Sequence, residues 1–295
     1  MSGSDQTLTL AVDIGGTKLA AGLVDQDGRL LHREQEPTDV DTSAAALFAS
    51  LADLVDRVRD GSPLDPTACG VGCGGPMTGG GASVSPLNIP AWRAFPLQER
   101  LAHHTGLPTA VDVDSKALAL GEGWVGAAEG VDNYLAMVVS TGVGGGIVLD
   151  GRLLDGDDGN AGHIGHVIVE PDGRPCACGA RGCLEAEASG RNIEEMTGRP
   201  PAEAPAAARR RTGMMVGRAV ASVANLLDLQ LVVVAGSVAL GFGDDFFRAA
   251  QAEIDRSARL DHSAGTVIRP GGLGPDGPLI GAAAVARRAF VGFSS

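Results

Sequence analysis

Four potential metal donors, His166, Cys176, Cys178 and Cys183, fall within 18 positions of this 295-residue chain. One imidazole and three thiolates make a closed tetrahedral Cys3His set for Zn²⁺, and a site with no open position is structural rather than catalytic. A zinc hydrolase would need a vacant coordination position that this set does not leave. Gly173, Gly179 and Gly182 would let the short loop fold around the ion. Glu185, two residues beyond the last cysteine, would be held in place by the metal loop. Cys69 and Cys73 read as small packing residues.

A second group of residues suits phosphate chemistry. In Asp13-Ile14-Gly15-Gly16-Thr17 the amides of Gly15, Gly16 and Thr17 and the Thr17 hydroxyl could surround phosphate oxygens, with Asp13 holding a Mg²⁺ or its water. An ordinary hairpin turn is the plain alternative. Ser140-Thr141-Gly142-Val143-Gly144-Gly145-Gly146 offers similar amides. Two such turns facing each other would clamp a polyphosphate. Gly236, in Ala235-Gly236-Ser237, follows a buried strand, where an open α/β sheet binds ligands; it could support a nucleotide's adenosine or be a simple strand-to-helix connection.

Asp112 and Asp114 flank a strand end just before a helix, so Asp114 could cap that helix or act as a base. Asn88 lies in a long Gly/Pro-rich loop. Carboxylates, an amide and imidazoles converging on one cleft would suit a polyhydroxylated ligand such as a sugar. Gly70, Gly72 and Gly75 match GxGxxG, but Pro76 and the glycines after it cannot open the helix that a dinucleotide site requires. No P-loop is present.

The elements that must position these residues follow from periodicity. Residues 10–31 and 135–154 echo each other: an apolar run, a Gly/Thr turn, a second apolar run, then Asp-Gly-Arg-Leu-Leu. This predicts one hairpin unit used twice. Helices are predicted over 43–59, 97–104, 115–125, 209–227 and 280–290, and strands over 68–72, 109–113 and 231–235. The resulting βα alternation gives an α/β protein of two related halves. The polar, Pro-broken stretch 187–208 reads as a surface insertion.

Composition limits the partners. A net charge of −13 with no basic run beyond Arg209-Arg210-Arg211 argues against nucleic acid and anionic membranes, and ten aromatics are too few for stacking platforms. The uncharged stretch 134–149 is too short to span a bilayer. The N-terminal residues lack a signal-peptide pattern, so a cytoplasmic protein is expected.

Together these motifs resemble the ROK family of bacterial sugar kinases and related repressors. The resemblance runs from Asp13-x-Gly-Gly-Thr through Asn88-Ile-Pro-x-Trp, Asp114, Ser140-Thr-Gly-x-Gly-Gly-Gly, Gly162-x-Ile-Gly-His166 and Cys176-x-Cys-Gly-x-x-Gly-Cys-Leu-Glu185 to Ala235-Gly-Ser. It implies an actin-like, ribonuclease H-like duplicated fold with a cleft between two domains: a small one of 1–117 plus about 283–295, and a large one of 118–282 carrying the zinc loop. It implies an ATP-dependent hexose kinase acting at O6, with Asp114 the catalytic base. Asn88, Asp114, His163, His166 and Glu185 would contact the sugar. Asp13, Gly15, Gly16, Thr17, Thr141, Gly142, Gly144 and Gly236 would serve ATP and Mg²⁺, and zinc would be structural.

A homodimer or homotetramer is implied, whereas the DNA-binding extension of family repressors has no counterpart before Asp13. Two positions depart from the family pattern, Val113 where Asn is usual and His163 where Glu is frequent. A missing or exchanged hydroxyl partner alters sugar selectivity, so glucose, a related hexose or an amino-substituted hexose all fit. A sugar-sensing protein of weak turnover is the competing reading.

Overall fold

The computed structural model describes residues 7–290, so the first six and last five positions, including parts of the N-terminal stretch and of the segment 283–295, lie outside it. The chain divides into two compact units. One takes the residues up to Gly126, Asp155–Ala161 and the stretch from Leu273 on; the other takes Ala127–Leu154 and Gly162–Gly272.

In the first unit, β1 (Leu8–Ile14), β2 (Lys18–Asp25) and β3 (Leu30–Pro37) form an antiparallel meander, and β4 (Ala68–Cys73) and β5 (Thr109–Val113) continue the sheet in parallel on the far side of β1. The edge strand β3, Leu-Leu-His-Arg-Glu-Gln-Glu-Pro, alternates half-buried with exposed residues, and its charges guard the open edge. Strand β1 sends Leu8, Leu10, Val12 and Ile14 into one core and Ala11 into another, as period-two geometry demands. Helix α1 (Ala44–Asp60) covers the first face with Leu47, Leu51, Leu54, Val55 and Val58. Ser43 caps it, its hydroxyl accepting from the Ala46 amide at 3.2 Å. Helices α2 (Leu97–Thr105) and α3 (Asp114–Val125) flank β5.

The second unit repeats this plan. Strands β6 (Tyr134–Val139), β7 (Val143–Leu149) and β8 (Arg152–Leu153) form the meander. After α4 (Leu184–Ala188), α5 (Gly190–Thr197) and the long α6 (Ala206–Leu227), β9 (Leu231–Ala235) pairs in parallel with β6. Helices α7 (Ser237–Phe242) and α8 (Asp244–Ser257) lead to β10 (Val267–Pro270), parallel to β9. Strand orders β3-β2-β1-β4-β5 and β8-β7-β6-β9-β10 are thus one topology used twice, the duplication that the echoing hairpins predict. Leu135, Met137 and Val139 of β6 and Val232 and Val234 of β9 pack against Val216, Val220, Phe246 and Ile254 of α6 and α8.

The stretch 187–208 is not a surface insertion. Glu187, Ala188, Ser189, Ile193 and Ala204 are buried, and the apolar ones join the second core. Polarity misleads here because the buried residues are few and the helices short. No helix among the described residues is long and apolar enough to cross a membrane.

Helix α9 (Gly277–Phe290) returns to the first unit and lays an alanine-rich face on β1, β4 and α3. Its approach to β4 is so close that a Cβ on Gly70 would sit 1.9 Å from the Ala282 carbonyl oxygen. Gly70→Ala must therefore push backbone against backbone. We expect it to cost at least about 2 kcal/mol, within the range of overpacked cores, read as a lowered Tm in thermal unfolding; an unchanged Tm would show that α9 yields freely.

Candidate functional site

Register places Asp13 of β1, Gly72 of β4 and Asp112 of β5 side by side. Gly72 contributes no side chain, and a Cβ built there would lie 3.8 Å from Asp13 Oδ1 and 3.7 Å from the Asp114 Cα. Asp13 and Asp114 therefore flank a bare strand position. Desolvation, then the neighbouring Asp114 charge, push the Asp13 carboxyl up to about 7 against an offset from Lys18.

Asp114 opens α3 and is exposed. Its Oδ1 accepts from the Ser115 amide at 2.7 Å, and the helix N-terminus favours its negative charge. The residue before it, Val113, is buried in the first core, so at the place where the family pattern has Asn this chain makes an apolar contact.

The turn after β1 is closed by the Gly15 amide, which donates to the Lys18 carbonyl at 2.9 Å. Thr38 braces it, its hydroxyl donating to the Gly15 carbonyl at 2.7 Å and its amide to the Thr17 carbonyl at 3.1 Å. Thr17 is exposed. Asn88 lies against the turn, since a Cβ on Gly16 would come within 2.5 Å of the Asn88 Cβ. The loop that carries Asn88 is anchored by Val84, Ile89, Trp92 and Phe95, all buried, with Trp92 and Phe95 stacked at 4.4 Å.

In the second unit, the turn between β6 and β7 holds Thr141 and Gly142, with Gly144 on β7. The Ser140 amide donates to the Gly142 carbonyl at 2.9 Å. Ser140 Oγ lies 2.9 Å from Ser237 Oγ, so this turn meets the first residue of α7 at the adjoining ends of β6 and β9. Gly236 has φ +100°, and a Cβ there would fall 2.4 Å from the Val139 carbonyl oxygen; only glycine fits. Glu185 Oε2 accepts from the Val143 amide at 3.1 Å and would lie 3.0 Å from a Cβ on Gly142. The carboxylate thus rests on the Thr141-Gly142 turn, a contact between two separately inferred motifs.

His166, Cys176, Cys178 and Cys183 bring their donor atoms within 4.8 Å of one another. Cys176 Sγ lies 3.8 Å from His166 Nδ1, and Cys178 Sγ 3.7 Å from Cys183 Sγ. A tetrahedron with Zn–S bonds of about 2.3 Å has edges of roughly 3.8 Å, so the donor set fits zinc. With Nδ1 turned to the sulfurs, the other ring nitrogen of His166 is left for a second partner. His163 is exposed, its ring 6.1 Å from that of His166. The chain returns sharply at Gly182, where a Cβ would collide with the Glu170 carbonyl.

Sequence reasoning missed Glu187, which holds the metal loop. It is buried, accepts from the Arg174 amide at 2.6 Å and pairs with Arg211 at 2.5 Å. Burial pushes its pKa up, but the Arg174 and Arg211 hydrogen bonds win and hold it below the usual range. Its partners stand 13 and 24 positions away, so no local pattern marks it. Cys69 and Cys73 are buried as packing residues, and desolvation raises both thiols, Cys69 to about 12.

The ROK family model matches residues 9–289. The N-acetylmannosamine kinase of Citrobacter koseri is 40% identical over 253 residues, 80% of this chain and 85% of that protein. The glucokinase of Thermotoga maritima is 40% identical over 182 residues, 61% of this chain and 56% of that protein, so this alignment spans little more than half of the relative. Among solved structures, a ROK family glucokinase from Streptomyces griseus in complex with glucose and AMPPNP superposes with a TM-score of 0.83 at 30% identity, covering 95% of this chain and 99% of that one.

Two outcomes are expected. Chelator treatment, or Cys176→Ser, should lower Tm by at least roughly 5 °C, because structural zinc contributes several kcal/mol and each is worth a few degrees in a chain this size; an unchanged Tm after proven metal loss would make the loop self-supporting. Asp13 titrates near 7 when folded against 3.8 for an ordinary aspartate, so the folded state holds an extra proton between those values and stability falls as pH rises through them. Without added divalent cation, Asp13→Asn should therefore exceed the unmodified protein in Tm by its widest margin at pH 8 and by less at pH 5. An equal margin at both would contradict the shift.

Proposed function

Since the chain belongs to the ROK family, whose kinase members have the actin-like two-domain fold, we propose that it is an ATP-dependent hexose kinase that phosphorylates O6. The observation that carries the reading is the pair of carboxylates, Asp13 and Asp114, beside the side-chain-free Gly72, with Asn88 packed on the adjoining glycine turn. That pairing supplies an acceptor for a hydroxyl proton next to a place of negative potential suited to a divalent cation.

In this reading Asp114, at the N-terminus of α3, accepts the proton of the attacking hydroxyl. Asn88, His163, His166 and Glu185 bind the sugar, with the metal loop orienting His166 and Glu185. The amides of Gly15, Gly16 and Thr17, and those around Thr141, Gly142 and Gly144, bind phosphate oxygens, while Gly236 brings the backbone close to the nucleoside. Phosphoryl transfer to an alcohol depends mainly on alignment and charge neutralisation. Asp13 would hold a Mg²⁺ directly or through its waters, and the ion would supply part of that neutralisation.

The two kinase relatives favour turnover over a sugar-sensing role. They also bracket the sugar. His163 offers an N–H donor where a carboxylate only accepts, and we assign an N-acylated hexosamine ahead of glucose. The protein is proposed to work in the cytoplasm as a homodimer or homotetramer, with no nucleic-acid or membrane partner.

An ADP-release assay over a panel of hexoses and N-acylhexosamines tests this. ADP formation should depend on added sugar and fall about 10²–10⁴-fold in Asp114→Asn, the range of general-base help, with an unchanged circular dichroism spectrum. Sugar-independent ADP release, or turnover surviving within a few-fold, would refute the assignment.

A further inference from the structure

Asp155–Ala161 belongs to the first unit although the chain on either side of it belongs to the second. The segment is fastened by charge. Lys116, on α3 two residues beyond Asp114, has a side chain only 2% exposed, and its Nζ donates to Asp155 Oδ1 at 2.8 Å, to the Gly159 carbonyl at 3.0 Å and pairs with Asp112 Oδ1 at 3.0 Å. Arg288 of α9 reaches the same two carboxylates, Asp155 Oδ1 at 3.2 Å and Asp112 Oδ2 at 3.4 Å. Two cations and two carboxylates balance. Lys116 and Asp112 are the desolvated members and Asp155 and Arg288 close the cluster from its solvent side, so loss of a partner falls most heavily on the Lys116 charge.

The other end of the segment grips a loop. Asn160 Oδ1 accepts from the Met77 amide at 3.3 Å and Asn160 Nδ2 donates to the Met77 carbonyl at 3.0 Å, so the side chain pairs with that residue as a neighbouring strand would. Met77 lies on one arm of a hairpin. The Ser85 amide donates to the Pro76 carbonyl at 2.8 Å and the Leu87 amide to the Gly75 carbonyl at 3.3 Å. The second arm runs directly into Asn88, and three residues past the grip the chain reaches His163.

We propose that Lys116, Arg288 and Asn160 are positioning residues for the sugar: the charge cluster docks 155–161 on α3 and α9, and Asn160 thereby fixes the hairpin that presents Asn88. The inference rests on the kinase reading for its kinetic consequence alone. None of the three residues belongs to the phosphate turns, so the sugar is affected and the nucleotide is not. Lys116 shares the first turns of α3 with Asp114, so the peripheral members of the device, Asn160 and Arg288, are the ones to change.

The test uses the full chain with Asn160→Ala, Arg288→Ala and Arg288→Lys. In the ADP-release assay, with the best hexose of the panel, Asn160→Ala and Arg288→Ala should raise KM for the sugar at least fivefold. KM for ATP and kcat at saturating sugar should stay within about twofold. Arg288→Lys should recover most of the loss by restoring a cation. Hydrogen–deuterium exchange without ligand gives a readout independent of turnover: both alanine variants should speed exchange in 77–88 as well as in 155–161. Unchanged sugar KM, a parallel rise in KM for ATP, or faster exchange confined to 155–161 would each overturn the proposal. If the unmodified protein turns over no hexose, the kinase reading fails while the exchange data still decide whether the segment holds the hairpin.

Discussion

Two carboxylates meet at the strand ends of the first unit's sheet, Asp13 desolvated and Asp114 exposed, and Gly72 on the strand between them places no side chain there. Lys18 offsets the Asp13 charge in part. In such surroundings a negative charge is costly unless matched, and the raised titration of Asp13 is the direct result. The neighbouring structure obeys the same constraint. Cys73, beside them on the same sheet, stays a neutral thiol because burial, then the Asp114 and Asp13 charges, raise it, whereas Asp112, two residues from Asp114, is matched by Lys116 and Arg288. Asp112 is compensated by two cations of the fold, whereas Asp13 keeps a raised titration despite Lys18, which separates structural charge from charge poised for chemistry.

Much of this was legible in the sequence because it is written in short-range patterns. The repeated hairpin, the alternating β3, the leucine spacing of α1 and the cysteine spacing of the metal loop each depend on residues within one or two turns of each other. Strand 109–113 and strand 231–235 lie where apolar runs put them. The donor set of the metal loop closes as its spacing implied.

What the sequence hid depends on distant partners. Glu187 looks like one more acid in a polar stretch until Arg174 and Arg211 are folded onto it. Val113 reads as a missing amide, yet it is a core residue. Segment 155–161 is Gly- and Asp-rich and resembles any surface loop; its place in the first unit is set by Lys116 and Arg288, 39 and 133 positions from Asp155. The match of Gly70 and Gly72 to a dinucleotide fingerprint has a packing explanation instead: one lets α9 settle on the sheet, the other leaves room between two carboxylates.

The five cysteines divide into two chemically distinct populations. Cys69 and Cys73 are sealed in the first core as protonated thiols, and the remaining three gather in the metal loop, with Cys178 exposed and Cys176 half-exposed. Because alkylating reagents attack thiolates that solvent can reach, the native protein can yield sulfur to such a reagent only from the loop. Labelling stoichiometry on the folded chain is therefore a gauge of metal occupancy, running from none in the loaded protein toward two, Cys176 and Cys178, as the ion is withdrawn, with buried Cys183 following only when the loop opens and Cys69 and Cys73 only when the first core does.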